Sequence, residues 1–279
     1  MKRTCLKATA RLAALFCRLS LSPEPYVAQK MDLLVDYAVR IRKKSDVWIS
    51  SYPRSGNGWV RAMLYEVLTG SDPLDRPHQA HGQVLPDIHG GYIDSSQIPD
   101  YLDVRFFKSH FHFSRVFPRI IYLVRDPVDS IYSLYVRAAK KRGREMAPDR
   151  FIRDFYLKGL FRYWDAHVLS YLTAPYDERR IMVLRYEDIL ADPVKALSEI
   201  IAFSGTAHVA KSPQKVGPRH IDKFLLKRDV DVQNRTYHEK TDLLRSLQLN
   251  KTPDSFLALL RRGTQRSQLW PLRQWLGYG

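Results

Sequence analysis

Apolar and polar positions along the chain follow two spacings. Short apolar runs lie at 47–51, 105–110, 119–124 and 180–185. Apolar residues recur every three or four positions at 31–43, 59–69, 127–141, 154–172 and 193–203. The first spacing predicts strands and the second helices. The run Ile120-Ile121-Tyr122-Leu123-Val124 has no polar break, as a strand covered on both faces requires. Pro127 falls in the first turn of its helix, where its missing N–H is no loss. Strands alternating with helices predict an α/β fold: a single layered domain over 46–279, with a central parallel sheet flanked by helices. The stretch 70–98 is rich in Gly, Pro, Asp and His and is expected to be a long irregular loop of the kind that carries function. From Lys211 onward the chain is basic and less regular, with a final helix at 253–260.

One junction in this pattern is chemically specific. The strand at 47–51 runs into Tyr52-Pro53-Arg54-Ser55-Gly56-Asn57-Gly58-Trp59, and an amphipathic stretch follows from Val60. Glycines let the backbone approach an oxyanion, and the helix start presents unpaired N–H groups to it. Arg54 adds a guanidinium fork suited to phosphate or sulfate. The nucleotide-triphosphate loop needs Lys followed by Ser or Thr after its last Gly, to hold magnesium. Here Gly58 is followed by Trp59.

Composition adds sign and compartment. The 279 residues carry a formal net charge of +16, which favours anionic ligands or an acidic surface. Cys5 and Cys17 are the only cysteines, too few for a disulfide framework or a four-cysteine zinc site. A reducing, cytoplasmic location is expected. Residues 1–45 are expected to form a basic amphipathic arm and lead-in helix, with Leu12, Leu15, Phe16 and Leu19 on one face. Its apolar run is too short to span a membrane. It is left open whether the arm packs on the domain, contacts an anionic membrane peripherally, or directs the chain to an organelle.

Four further segments complete the candidate chemistry. Arg125 ends the apolar strand at 119–124, and Ser133 sits in the first turns of the next helix, so both can reach one phosphate. Arg125 can equally pair with Asp126 or Asp129. Lys108-Ser109-His110 supplies a cation and an imidazole two positions apart on a strand, hence on one side. Transfer of a group to a hydroxyl requires removal of a proton, a task suited to His at neutral pH. His110 and His112 could instead form a metal pair or core histidines, and His112 is the alternative base. Tyr186 stands at the head of Tyr186-Glu187-Asp188-Ile189, where plain packing is the alternative to ligand contact. Arg261-Arg262-Gly263 closes the last apolar helix, either as an anion contact or as a solvated basic helix end.

Taken in order, Tyr-Pro-Arg-Ser-Gly-Asn-x-Trp, Arg125 with Ser133, Tyr186-Glu187-Asp188 and Arg261-Arg262-Gly263 resemble the sulfotransferases that use PAPS (3′-phosphoadenosine 5′-phosphosulfate). The resemblance implies a P-loop-like fold and in-line sulfuryl transfer to an acceptor hydroxyl. It assigns Arg54, Ser55, Gly56, Asn57 and Gly58 to the 5′-phosphosulfate. Trp59 and Tyr186 fall to the adenine, and Arg125, Ser133, Arg261, Arg262 and Gly263 to the 3′-phosphate. His110 becomes the general base, with Lys108 and Arg54 stabilising the leaving group. It implies PAPS as co-substrate and PAP as product, no metal, and a hydroxyl-bearing small molecule, lipid or glycan as acceptor. Nucleic acid is not an expected partner. The chain departs from the family in carrying Arg54 for Lys and Gly58 for a hydroxyl residue, and in the longer spacing from Gly263 to Trp270. Two other classes remain in play: a nucleotide-triphosphate kinase, and a non-catalytic basic module built on the arm and on 137–144.

Overall fold

A computed structural model describes residues 33–72, 82–88, 98–142, 147–156, 163–216, 253–265 and 267–278. Most of the N-terminal arm, much of the 70–98 loop, the end of the 137–144 basic run and the 217–252 stretch lie outside the described residues. Four strands form one parallel sheet: β1 (Val47–Ser51), β2 (Phe106–Ser109), β3 (Arg119–Val124) and β4 (Ile181–Arg185), in the order β2-β1-β3-β4. The register pairs Ser50 with Ser109, Ser51 with Leu123, and Val124 with Arg185. The carboxyl ends of all four strands therefore lie side by side. The chain leaves β1 toward β2 on one side and returns to β3 on the other. A crevice at such a reversal of strand order is where α/β sheets bind ligands.

Helices cover the sheet. Among those of the described residues are α1 (Asn57–Thr69), α2 (Pro127–Arg142), α3 (Trp164–Leu172), α4 (Tyr186–Ala191), α5 (Pro193–Ser204), α6 (Asp254–Gly263) and α7 (Leu269–Trp275). The two central strands explain the unbroken apolar runs: β1 is buried at every position and β3 at all but the first. Trp48 stacks on Phe107 and on Phe117 at ring-centroid distances of 5.2 and 4.4 Å, with Tyr37 edge-on at 4.8 Å. At α5, Asp192 accepts a hydrogen bond from the Lys195 amide and Pro193 takes the first helical position, the chemistry a helix start favours.

The amino ends of β1 and β2 are fastened by a buried ion pair. Arg105 donates from Nε to Asp46 Oδ1 at 2.8 Å and from Nη2 to Oδ2 at 2.8 Å. Tyr37 Oη and the Lys43 amide also donate to Oδ2, each at 2.7 Å. Asp46 precedes β1 and Arg105 precedes β2, so this network sets the strand register at the end of the sheet opposite the crevice.

Three expectations change in detail. The helix expected over 154–172 is two pieces: a π-helical turn at Ile152–Tyr156, and α3, which begins after Tyr163. Tyr163 has φ 50°, which a right-handed helix cannot contain, so the helix cannot run through it. The 31–43 helix widens into a π-helical turn at Tyr37–Ile41 and ends where Arg42 turns extended, at ψ 126°. The final helix runs on to Gly263 and is followed by α7, which the sequence pattern did not predict.

Removing the Asp46 carboxylate leaves Arg105 charged and buried. Asp46→Ala is expected to cost about 3–5 kcal/mol of stability. Urea unfolding would show it as a lower midpoint with an unchanged slope.

Candidate functional site

The turn after β1 is built from two left-handed residues. Arg54 has φ 71° and Gly56 φ 86°, with buried Ser55 between them. A Cβ on Gly56 would stand 2.4 Å from Tyr186 Cδ2, so the tyrosine ring lies directly against the turn. Left-handed backbone is unfavourable for Arg, and surrounding groups must hold it there. Arg125 Nη1 donates to the Arg54 carbonyl at 3.1 Å, and Arg54 Nε donates to Ser133 Oγ at 2.9 Å. Arg125 also lies over the Tyr186 ring at 4.5 Å, and Trp59 meets that ring edge-on at 5.9 Å. Thus the loop after β1, the residue after β3, the first turns of α2 and the start of α4 meet at one point. Arg54, Ser55, Gly56, Trp59, Arg125, Ser133 and Tyr186 are all brought together there.

Helix α1 opens out of this turn, with Trp59 and Val60 amides donating to the Gly56 carbonyl. Ser55 Oγ lies 3.5 Å from Ser130 Oγ, also on α2. Gly58 stands in the first turn of α1. The Asn57 side chain points down instead, donating to the Ile49 carbonyl at 3.0 Å and to Ser51 Oγ at 3.2 Å. It ties the helix start to β1. Of the alternative partners of Arg125, Asp129 stands 4.0 Å away, while Asp126 is taken by Arg273 through two bonds, at 3.1 and 2.8 Å.

His110 lies one residue past the end of β2. Its Nδ1 is 2.8 Å from the Ser51 carbonyl, which can only accept. Nδ1 therefore carries the proton of the neutral ring, and Nε2 carries the basic lone pair. The same Ser51 begins the anion turn, so imidazole and turn share an anchor. The His112 side chain is exposed, yet desolvation by its surroundings lowers its pKa. Its ring rests on His167 at 5.1 Å.

Lys108 departs from the simple alternation argument. Its Nζ donates to Asp87 Oδ2 at 2.5 Å, and Arg61 lies 4.0 Å from the same oxygen. The Lys108 amide donates to Pro86 and its carbonyl accepts from Ile88, so 86–88 runs beside β2 as a short parallel bridge. Asp87 was not foreseen, because nothing within the irregular 70–98 stretch marks which acid meets the strand. Arg261, Arg262 and Gly263 end α6 at a distance from this cluster in bonding. Arg261 lies over Trp270 at 5.2 Å, and a Cβ on Gly263 would stand 2.9 Å from Ile152 Cγ2. Both arginines are exposed, and no hydrogen bond or ion pair joins them to the turn among the described residues. Among the described residues no group of three or more His, Cys, Asp or Glu could hold a metal ion. Nor is any described helix long and apolar enough to cross a membrane.

The C-terminal segment supplies residues that the sequence left unmarked. Glu187 accepts from the Asp126 amide at 3.1 Å and from Tyr278 Oη at 3.0 Å. Burial, with Glu187 beside it, raises the Tyr278 pKa well above the ordinary phenol value, so its hydroxyl stays a donor. Arg273 and Tyr278 thereby bind two acids beside the crevice.

The contact at Gly56 is sharp enough to test. Gly56→Ala adds both left-handed strain and a clash with Tyr186. It is expected to abolish measurable binding of an adenosine bisphosphate such as PAP in titration calorimetry. A stability loss of about 1–3 kcal/mol should accompany it.

The model of the family described as "Sulfotransferase domain" matches residues 44–243, a span that holds the turn, His110, Arg125, Ser133 and Tyr186 but ends before Arg261. Sulfotransferase 4A1 of Mus musculus is 27% identical over 194 residues, covering 66% of this chain and 66% of that protein. The chain thus spans slightly less than two thirds of that relative's length. Flavonol 3-sulfotransferase of Flaveria bidentis is 27% identical over 192 residues, covering 61% of this chain and 60% of that protein. Among solved structures, mouse sulfotransferase SULT7A1 complexed with PAP is 21% identical, with a TM-score of 0.48, over 68% of each chain. With its family match covering well over half of its residues, the chain belongs to the sulfotransferase domain family.

Proposed function

We propose that this protein transfers a sulfuryl group from PAPS to a hydroxyl of a small-molecule acceptor, with His110 as general base. The observation that carries the reading is the shared anchor at Ser51. Its residue opens the anion turn, and its carbonyl fixes the His110 ring with Nε2 as the basic nitrogen. A base and an anion cradle held on one strand end are what in-line transfer between a bound anionic donor and a hydroxyl needs.

His110 Nε2 takes the proton as the acceptor oxygen attacks sulfur. The bond from sulfur to the 5′-phosphate oxygen breaks, and the phosphate gains negative charge. Arg54 and the opening amides of α1 are assigned to that developing charge, so that they stabilise the transition state more than the ground state. Lys108 joins them only by exchanging Asp87 for the phosphate. Arg125 and Ser133 hold the 3′-phosphate, and Tyr186 and Trp59 provide aromatic faces for the adenine. Arg261, Arg262 and Gly263 are assigned to the 3′-phosphate on the family resemblance. Two cationic anion sites do the work a metal does in phosphoryl transfer. The flavonol-directed relative supports a hydroxyl-bearing small molecule as acceptor.

Two outcomes test this. PAP should stabilise the fold without magnesium, by roughly 2.7 kcal/mol when present at about 100 times its dissociation constant. A thermal shift with ATP and magnesium but none with PAP would reject the donor. His110→Ala should lower turnover by about 10²–10⁴ with PAP affinity little changed. The rate of the native enzyme should rise with pH through a histidine titration, and that limb should be missing in the variant. Full turnover by His110→Ala would reject the base.

A further inference from the structure

The strand-end segment that carries His110 is fastened to helix α3 at three successive points. His167 Nε2 lies 3.2 Å from the His110 carbonyl. Tyr171 Oη donates to the Phe111 carbonyl at 2.8 Å. The Phe113 amide donates to Ser170 Oγ at 3.0 Å, and that hydroxyl donates back to the His167 carbonyl at 2.7 Å. A short loop beyond a strand has no ladder of its own to order it. Here the ordering comes from consecutive turns of one buried helix.

His167 is the member of this set with a choice of proton position. It is only 3% exposed, on a helix whose Trp164, Val168 and Tyr171 are also buried. A carbonyl can only accept, so the contact to His110 requires the proton on Nε2. Nδ1 must then accept, and the Tyr122 hydroxyl lies 2.9 Å from it. Tyr122 is fully buried in β3, and burial keeps its phenol protonated and able to donate. The Tyr122 ring stacks on Tyr171 at 4.1 Å and on His167 at 5.8 Å, and Tyr52 meets His167 edge-on at 5.7 Å. Tyr52 is the residue after Ser51. The imidazole of His167 thus touches both the strand end that anchors the His110 ring and the backbone of His110 itself.

We infer that His167 is a positioning residue for His110. It holds the His110 backbone through an Nε2–H bond whose tautomer Tyr122 fixes, and so sets the ring where the Ser51 carbonyl can orient it. His110 is then located at two points, its carbonyl by His167 and its Nδ1 by Ser51. With either lost, the ring is free to turn and to place its proton on Nε2, which removes the basic lone pair from the acceptor side. The importance of this coupling rests on His110 being the base, but the coupling is read without reference to turnover.

Long-range proton–nitrogen correlation spectra of histidine-labelled protein, at mildly alkaline pH, report which ring nitrogen carries the proton. The native protein is expected to show His167 protonated on Nε2 and His110 protonated on Nδ1. His167→Gln places an amide N–H near the Nε2 position and should leave the His110 pattern as it is. His167→Leu keeps bulk but removes the donor, and should shift the His110 tautomer ratio roughly three- to tenfold, the range of one lost hydrogen bond. If His167→Leu does not fold, Tyr122→Phe is read in its place. His167 should then populate the Nδ1–H form, and His110 should move with it. A native His167 protonated on Nδ1 overturns the inference, as does a His110 pattern indifferent to His167→Leu, or to Tyr122→Phe when His167 itself responds. Full turnover by His110→Ala would instead remove the base while leaving this coupling intact, so the two failures are distinguishable.

Discussion

The site depends on a backbone turn that its own sequence does not favour. Arg54 and Gly56 both stand at positive φ, and only the second is a residue suited to it. The strain at Arg54 is of the order of 1–3 kcal/mol and has to be offset by its surroundings. Three groups from three other segments do so: Arg125 on its carbonyl, Ser133 on its guanidinium, and the Tyr186 ring closing on Gly56. Arg125 and Ser133 follow β3 and Tyr186 follows β4, two strands of the same parallel sheet. The turn is therefore as well defined as the strand register, and the buried Asp46–Arg105 pair sets that register from the far end.

From this constraint the rest of the arrangement follows. Residue 56 must lack a Cβ so that Tyr186 can approach, and that approach places an aromatic face beside the start of α1. Arg125 is held between the Arg54 carbonyl and the Tyr186 ring, which fixes a planar cation at the crevice. Of the nearby acids, Asp126 is bound by Arg273 and Glu187 accepts from Tyr278, while Asp129 stands 4.0 Å from Arg125. The last residues of the chain thus shape the electrostatics of a loop more than two hundred positions earlier.

Much of this was legible in the sequence, for physical reasons. An unbroken apolar run such as 120–124 has few alternatives to a strand covered on both faces, and its bounds were found as they stand. The Gly-containing turn before an amphipathic run marks the passage from β1 to α1, and it stands where the sequence put it. Long-range partners were not legible. Asp87 on Lys108, Arg273 on Asp126 and His167 under His110 are ordinary residues in ordinary patterns, and only the fold makes them neighbours. Asn57 was taken for a donor-facing residue by resemblance, yet its side chain turns back to the strand. The Tyr163 break was hidden because apolar spacing continues through it and reports nothing of φ.

The central claim is that the crevice at the end of β1 and β3 reads an adenosine carrying two separate phosphates. The most direct measurement is calorimetric titration with PAP and with AMP, which lacks the 3′-phosphate, on the native protein and on Arg125→Ala. The account predicts that the native protein prefers PAP by at least about tenfold, the worth of one charge-assisted bond. It predicts that Arg125→Ala removes most of that preference, losing more affinity for PAP than for AMP. Equal affinity of the native protein for PAP and AMP, or an undiminished preference in Arg125→Ala, would contradict it.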